Sequence, residues 1–229
     1  MLFRSTTLSK VFENAPGPVC MVLGGTKVDD SLSVAEHVLR NGIADLVIVT
    51  GVVGNVFLLA AGLDIGKGSC QLVKQLGYEK EVERARVLLE SCKERILYPA
   101  SVAVKEGGRR VEYPAGSVPE DAMVLDAGMD AISYLAEKIR SCRTVVFNGP
   151  AGVFEDADYA TGTHELLRAA SKAEFSIIGG GHTAAVAEKM GIDRDFSHIS
   201  TGGGACIEFL TGKKLPAVEA LERSHAQFG

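Results

Sequence analysis

His198–Leu210 reads HISTGGGACIEFL: a short strand-like run, three consecutive glycines, then an apolar-patterned segment (Cys206, Ile207, Phe209, Leu210) with helical spacing. Glycine loses more backbone freedom on folding than any other residue. Three in a row therefore mark a turn, or a place where something comes too close to the backbone to leave room for a side chain. The same arrangement recurs upstream. Gly24-Gly25 follows Val19–Leu23 (VCMVL), Thr50-Gly51 follows Leu46–Val49 (LVIV), and Asn148-Gly149-Pro150 with Gly152 follows Thr144–Phe147 (TVVF). Gly179-Gly180-Gly181 follows Phe175–Ile178 (FSII), and the opening stretch supplies a further strand over Ser197–Ile199.

Between these β-branched runs lie segments with helical spacing. Leu32, Ala35, Val38 and Leu39 form one; others are expected near Val56–Ala61, over Glu79–Ile96 and Gly128–Ser141, and from about Thr163, Thr183 and Gly204. Glu81 and Arg84 mark a solvated face in the charged member of this set. Val102–Lys105 and Arg109–Tyr113 flank Glu106-Gly107-Gly108 and read as a hairpin or a loop insertion. Apolar strands alternating with helices predict an α/β fold: a doubly wound, mainly parallel sheet in a Rossmann-like three-layer arrangement. No Pro/Gly/Ser-rich linker divides the chain, so 1–229 reads as a single domain. In such a sheet all five glycine clusters fall at the carboxyl ends of strands, on the edge where ligands bind. The expectation is that they line one crevice and let backbone N–H groups, backed by helix N-termini, approach a ligand.

Composition sets limits. The chain has 229 residues, 46% apolar and 23% charged, with a net charge of -5. That charge gives no global field for nucleic acid or an anionic membrane, so an anionic ligand needs local groups. The cysteines at 20, 70, 92, 142 and 206 are odd in number and never spaced CxxC. They fit a reducing compartment better than a disulfide framework or a structural zinc site. Met1-Leu-Phe-Arg lacks the order of a secretory signal, and a cytoplasmic location is expected. The uncharged run Leu46–Leu63 approaches bilayer length. Thr50, Gly51, Gly54 and Asn55 interrupt it, and it reads as a buried strand, a loop and a buried helix.

Two motifs nearly match and fail. Gly62–Ser69 (GLDIGKGS) sets its first glycine one residue too close for a phosphate-binding P-loop and reads as a helix-ending turn. Gly179–Ala184 satisfies a relaxed dinucleotide pattern but lies late in the chain, away from the first βα turn.

In order along the chain stand Gly24–Val28 (GGTKV), Val145–Glu155 (VVFNGPAGVFE), Gly179–Thr183 (GGGHT), His198–Ala205 (HISTGGGA) and Leu215–Leu221 (LPAVEAL). Together they resemble phosphoglycerate kinase, over nearly the whole chain. What stands here is similar to the carboxyl-terminal, nucleotide-binding domain of that two-domain enzyme, and the amino-terminal phosphoglycerate-binding domain is expected to be absent. The resemblance implies phosphoryl transfer between ATP and the carboxylate of 3-phosphoglycerate, with Mg²⁺. It implies roles residue by residue. Lys27 would contact the nucleotide phosphates and the group in flight. Glu155 would bond the ribose hydroxyls, and Gly51 and Leu125 would border the adenine slot. Asn148 would lie near the β-phosphate. Gly180, Gly181, His182 and Thr183 would hold phosphate and metal at a helix start. Gly202, Gly203 and Gly204 would present amides to the transferring phosphoryl.

Two positions depart from the family pattern. His182 stands where most members carry a metal-binding Asp, which leaves the metal ligands unassigned. Ser31 stands where many carry a second lysine. Both departures resemble the archaeal branch. The basic patch for phosphoglycerate and the assisting arginine belong to the other half, so this chain alone is expected to bind nucleotide without efficient transfer. The amino-terminal half is its expected partner, with no nucleic acid and no membrane. A stand-alone nucleotide- or phosphate-binding regulatory module is the alternative.

Overall fold

β1 (Val19–Leu23) is buried along its whole length, and its side chains divide by parity. Met21 and Leu23 join one core cluster, Cys20 and Val22 another. The same split holds in β2 (Leu46–Val49), where Val47 and Val49 face one way and Ile48 the other. Successive residues of a strand point to opposite faces, so an apolar run with no polar alternation needs cover on both sides.

The computed structural model describes residues 15–200. One layer holds α1 (Val28–Arg40), α2 (Gly51–Ala60) and α4 (Glu79–Cys92). The other holds α5 (Met129–Arg140), α6 (Thr161–Ala170) and α7 (Gly181–Lys189). Between them lies a parallel sheet in the order β3-β2-β1-β7-β8-β9, with β3 at Ile96–Leu97, β7 at Thr144–Asn148, β8 at Phe175–Gly179 and β9 at His198–Ser200. Counted within this sheet the order is 3-2-1-4-5-6, the doubly wound pattern. A small antiparallel sheet, β5-β4-β6, comprises β4 (Ser101–Glu106), β5 (Arg109–Pro114) and β6 (Val124–Ala127). It covers a third cluster formed by Leu58, Ile65, Val102, Val104 and Val118.

The stretch expected to be a hairpin or a loop insertion is the hairpin β4–β5. Several details differ from the sequence reading. The run from Thr50 to Asn55 is no loop: α2 begins at Gly51 and continues through Gly54 and Asn55. Every residue from Val53 to Leu58 is buried, and tertiary cover outweighs the weak helix propensity of Val and Gly. Gly62 does end α2, its N–H reaching Leu59 O at 2.9 Å, but Gly66 opens an unforeseen helix, α3 (Gly66–Gln75). The charged helix stops at Cys92, passes through a single 3₁₀ turn over Lys93–Arg95, and gives way to β3. No described helix is long and apolar enough to cross a membrane. The strand–glycine–helix reading continues past Ser200, and its helix from Gly204 lies outside the described residues.

Candidate functional site

β1 and β7 are neighbours, yet the chain leaves them toward opposite edges of the sheet. The turns after Leu23 and Asn148 therefore part and leave a crevice at the topological switch point. It opens into a cleft of about 540 Å³, a size usual for small-molecule sites. β2 lies beyond β1 and β8 beyond β7, so the walls that follow those strands stand at opposite ends. The α2 end is apolar, built by Val52, Leu58, Pro99, Val102, Met123 and Leu125. The α7 end is polar, built by Lys27, Asn148, Gly180, Gly181 and His182.

The glycine clusters divide into two kinds, which their sequences do not distinguish. Three turns lock to one another. Gly24 N–H donates to Asn148 O at 2.8 Å, Gly25 N–H to Pro150 O at 2.8 Å, and Gly51 N–H to Ala151 O at 2.9 Å. The N–H groups of Val52 and Val53 at the start of α2 both reach Gly25 O, at 3.1 and 3.3 Å. A Cβ on Gly24 would collide with Pro150 O, and one on Gly51 would sit 2.9 Å from it. These glycines permit close backbone packing, and the N-terminus of α2 is already satisfied by a protein carbonyl. The turn before α7 is the other kind. Gly180 has φ +94°, which only glycine adopts freely. A Cβ on Gly181 would meet nothing within 4 Å. Among the described residues the N–H groups of Gly181, His182 and Thr183 have no acceptor, while Ala184 N–H begins the helical pattern by bonding Gly180 O at 3.1 Å. One helix start in the cleft thus offers free amides and the positive end of its dipole.

The remaining expected residues fall as follows. Lys27 precedes α1 on the cleft wall, exposed, with no ion pair among the described residues. Asn148 is buried at the end of β7, its amide on the cleft wall. Thr183 is fully buried, and its Oγ1 accepts Gly149 N–H at 3.1 Å, clipping α7 to the β7 turn. Glu155 is exposed on the rim. Ser31 is buried in α1 and does not line the cleft. Gly202, Gly203 and Gly204 lie outside the described residues.

Leu125 owes its place to a β-bulge. Ala103 pairs with Asp126 but Val104 with Val124, so Leu125 is the extra residue of β6. Bulges re-aim side chains beside binding sites. Here the Leu125 carbonyl also accepts Val153 N–H at 2.8 Å, fixing the loop that carries Glu155.

Sequence reasoning missed the neighbour that anchors this wall. The Asp126 side chain is completely buried and accepts from Gly162 N at 2.9 Å, Ala127 N at 2.9 Å and Arg110 Nη1 at 3.0 Å. Arg110 also donates to Ala127 O and Asp158 O, both at 2.8 Å, and pairs with Glu112. Burial pushes the Asp126 carboxyl above its ordinary range, opposed by Gly162 N–H and the guanidinium. Leu125-Asp126-Ala127-Gly128 was the available signal, an acidic residue in a strand two positions before a glycine that opens a helix.

His182 is exposed and tilts its ring against Phe154, centroids 5.8 Å apart. Among the described residues no three His, Cys, Asp or Glu side chains gather closely enough to hold a metal. Mg²⁺ prefers oxygen ligands, so the described residues around His182 do not fit a protein-built magnesium site.

The family model of phosphoglycerate kinase matches residues 4–213. The chain belongs to the phosphoglycerate kinase family. The phosphoglycerate kinase of Methanocorpusculum labreanum is 56% identical over 222 residues, 97% of this chain and 55% of that protein. That of Methanosarcina mazei is 48% identical over 223 residues, 97% of this chain and 54% of that one. The archaeal character expected from His182 and Ser31 agrees with these relatives. The crystal structure of phosphoglycerate kinase from Pyrococcus horikoshii superposes with a TM-score of 0.93 at 38% identity, covering 100% of this chain and 57% of that one. The chain spans about half the length of the curated relatives it matches.

Proposed function

We propose that these 229 residues are the nucleotide-binding half of a cytoplasmic phosphoglycerate kinase, taking ADP or ATP in the cleft. The single observation behind this reading is the polarity of the cleft: an apolar end against α2 and β6, and an anion-binding end at the start of α7 beside Lys27. A nucleotide has the same asymmetry. Its base enters between α2 and Leu125, its ribose meets Glu155 on the rim, and its phosphates reach Asn148, Lys27 and the free amides of Gly181–Thr183. Phosphoryl transfer through a loose transition state needs positioning and charge stabilisation more than covalent chemistry. A helix dipole, free amides and an unpaired lysine supply that. Mg²⁺ accompanying the nucleotide would be held mainly by phosphate oxygens and water, outside any site built by the described residues.

By the resemblance, 3-phosphoglycerate is held by the amino-terminal half of the enzyme. On their own these residues bind nucleotide and transfer phosphoryl groups poorly, and an amino-terminal half is the partner whose presence supports transfer. Calorimetric titration with Mg-ADP tests the binding. Lys27→Ala should weaken it by about ten- to a hundredfold, the worth of one charge-assisted hydrogen bond. Glu155→Ala, on the solvated rim, should cost about three- to tenfold. Unchanged affinity in Lys27→Ala would remove the phosphates from this end of the cleft.

A further inference from the structure

Asn55 is the only polar residue among the ten of α2, GVVGNVFLLA. It is 4% exposed. A buried amide needs partners for its donor and its acceptor, and each exception in a native fold calls for an explanation. None of the described residues hydrogen-bonds the Asn55 side chain, and its amide atoms are not sealed from solvent, so they open to the cleft. The periodicity of the helix shows where it faces. Val53, Val56, Phe57 and Ala60 belong to the core between α1 and α4. Gly51, Val52, Asn55 and Leu58 line the cleft, one helical face on which Asn55 is central. Its neighbours there are apolar: Pro99, Val102 and Leu125 offer no side-chain hydrogen bond.

We propose that Asn55 reads the polar edge of the base of a bound nucleotide, and that it selects the 6-amino group of adenine. This inference rests on the nucleotide reading above and deepens it. A carboxamide presents one donor and one acceptor side by side. Adenine presents the complement, an exocyclic amine beside a ring nitrogen. The apolar walls grip any planar heterocycle by area alone and cannot tell one from another. Asn55 is the polar side chain on that face of α2 placed to do so, its amide open to the cleft and without a partner among the described residues.

The test compares ADP with purine riboside 5′-diphosphate, which lacks only the 6-amino group, by calorimetry on the full chain. Wild-type protein should prefer ADP by about three- to tenfold, the worth of one neutral hydrogen bond. In Asn55→Leu the ratio should fall to about one, while affinity for inorganic pyrophosphate, a probe of the α7 end alone, stays unchanged. Because Asn55→Leu removes no hydrogen bond made with the described residues, the unliganded variant should melt no lower than wild type. Equal wild-type affinities for the two nucleotides would overturn the proposal without any variant, as would a ratio that survives Asn55→Leu. Failure of the wild-type chain to bind ADP at all would overturn the nucleotide reading and this proposal with it.

Discussion

Gly149→Ala should lower the stability of the fold by about 3–5 kcal/mol, from backbone strain and overpacking together, and abolish nucleotide binding. Gly149 sits at φ +85°, where an L side chain is strained. Its Cβ would also collide with the Gly24 carbonyl, a backbone atom that cannot rotate away. To make room, the turns after β1 and β7 must separate. That breaks Gly24 N–H to Asn148 O and Gly25 N–H to Pro150 O, the bonds that form the floor of the cleft. Gly62→Ala is the matched control. Gly62 has a similar φ of +79°, but its Cβ would meet nothing within 4 Å. It should lose only the conformational component, about 1–2 kcal/mol. Urea unfolding of both variants reads the difference, and equal losses would show that close packing of the turns is unimportant.

Asp126→Ala should cost a comparable amount, about 3–5 kcal/mol, as expected when one partner of a buried ion pair is removed. The loss leaves Arg110, whose side chain is 17% exposed, without its buried partner, and strands Gly162 N–H at the start of α6. Asp126→Ala combined with Arg110→Met should recover part of the loss, because apolar replacement of both partners removes the stranded charge. The titration of Asp126 gives a second readout. Its folded-state pKa is raised, with burial as the largest cause. The folded protein therefore binds this proton more tightly than the unfolded chain. The associated stability is complete below the unfolded carboxyl range, near pH 4, and is lost as pH rises through the raised folded value. The gap between wild type and Asp126→Ala should accordingly narrow as pH rises through that window. A gap that widens would place the folded pKa below the ordinary range and reverse the account of the burial.

The sheet was legible because its strands are buried on both faces and so appear as unbroken apolar runs, VCMVL and TVVF among them. The edge of the sheet that carries the cleft was legible from the coincidence of glycine with strand ends. The functions of those glycines were not. Gly24-Gly25 and Gly180-Gly181 look alike in sequence, yet one pair packs turn against turn and the other leaves amides free, a difference set by contacts between segments far apart in the chain. β3 and β6 were missed because two apolar residues, or four with an aspartate among them, carry too little periodicity to stand out. The loop reading of Thr50–Asn55 failed because glycine and asparagine are poor helix formers in isolation, a preference that burial between two cores overrides. Arg110 and Asp126, 16 residues apart on different strands, could be joined only by the pairing of the small sheet.

The crystal structure of this chain with ADP tests the central claim most directly. The account predicts the base between α2 and Leu125, the ribose at Glu155, and the diphosphate on the amides of Gly181, His182 and Thr183 with Lys27 beside it. A nucleotide seated elsewhere, or one whose phosphates lie at the start of α2 with the α7 amides left free, would contradict it.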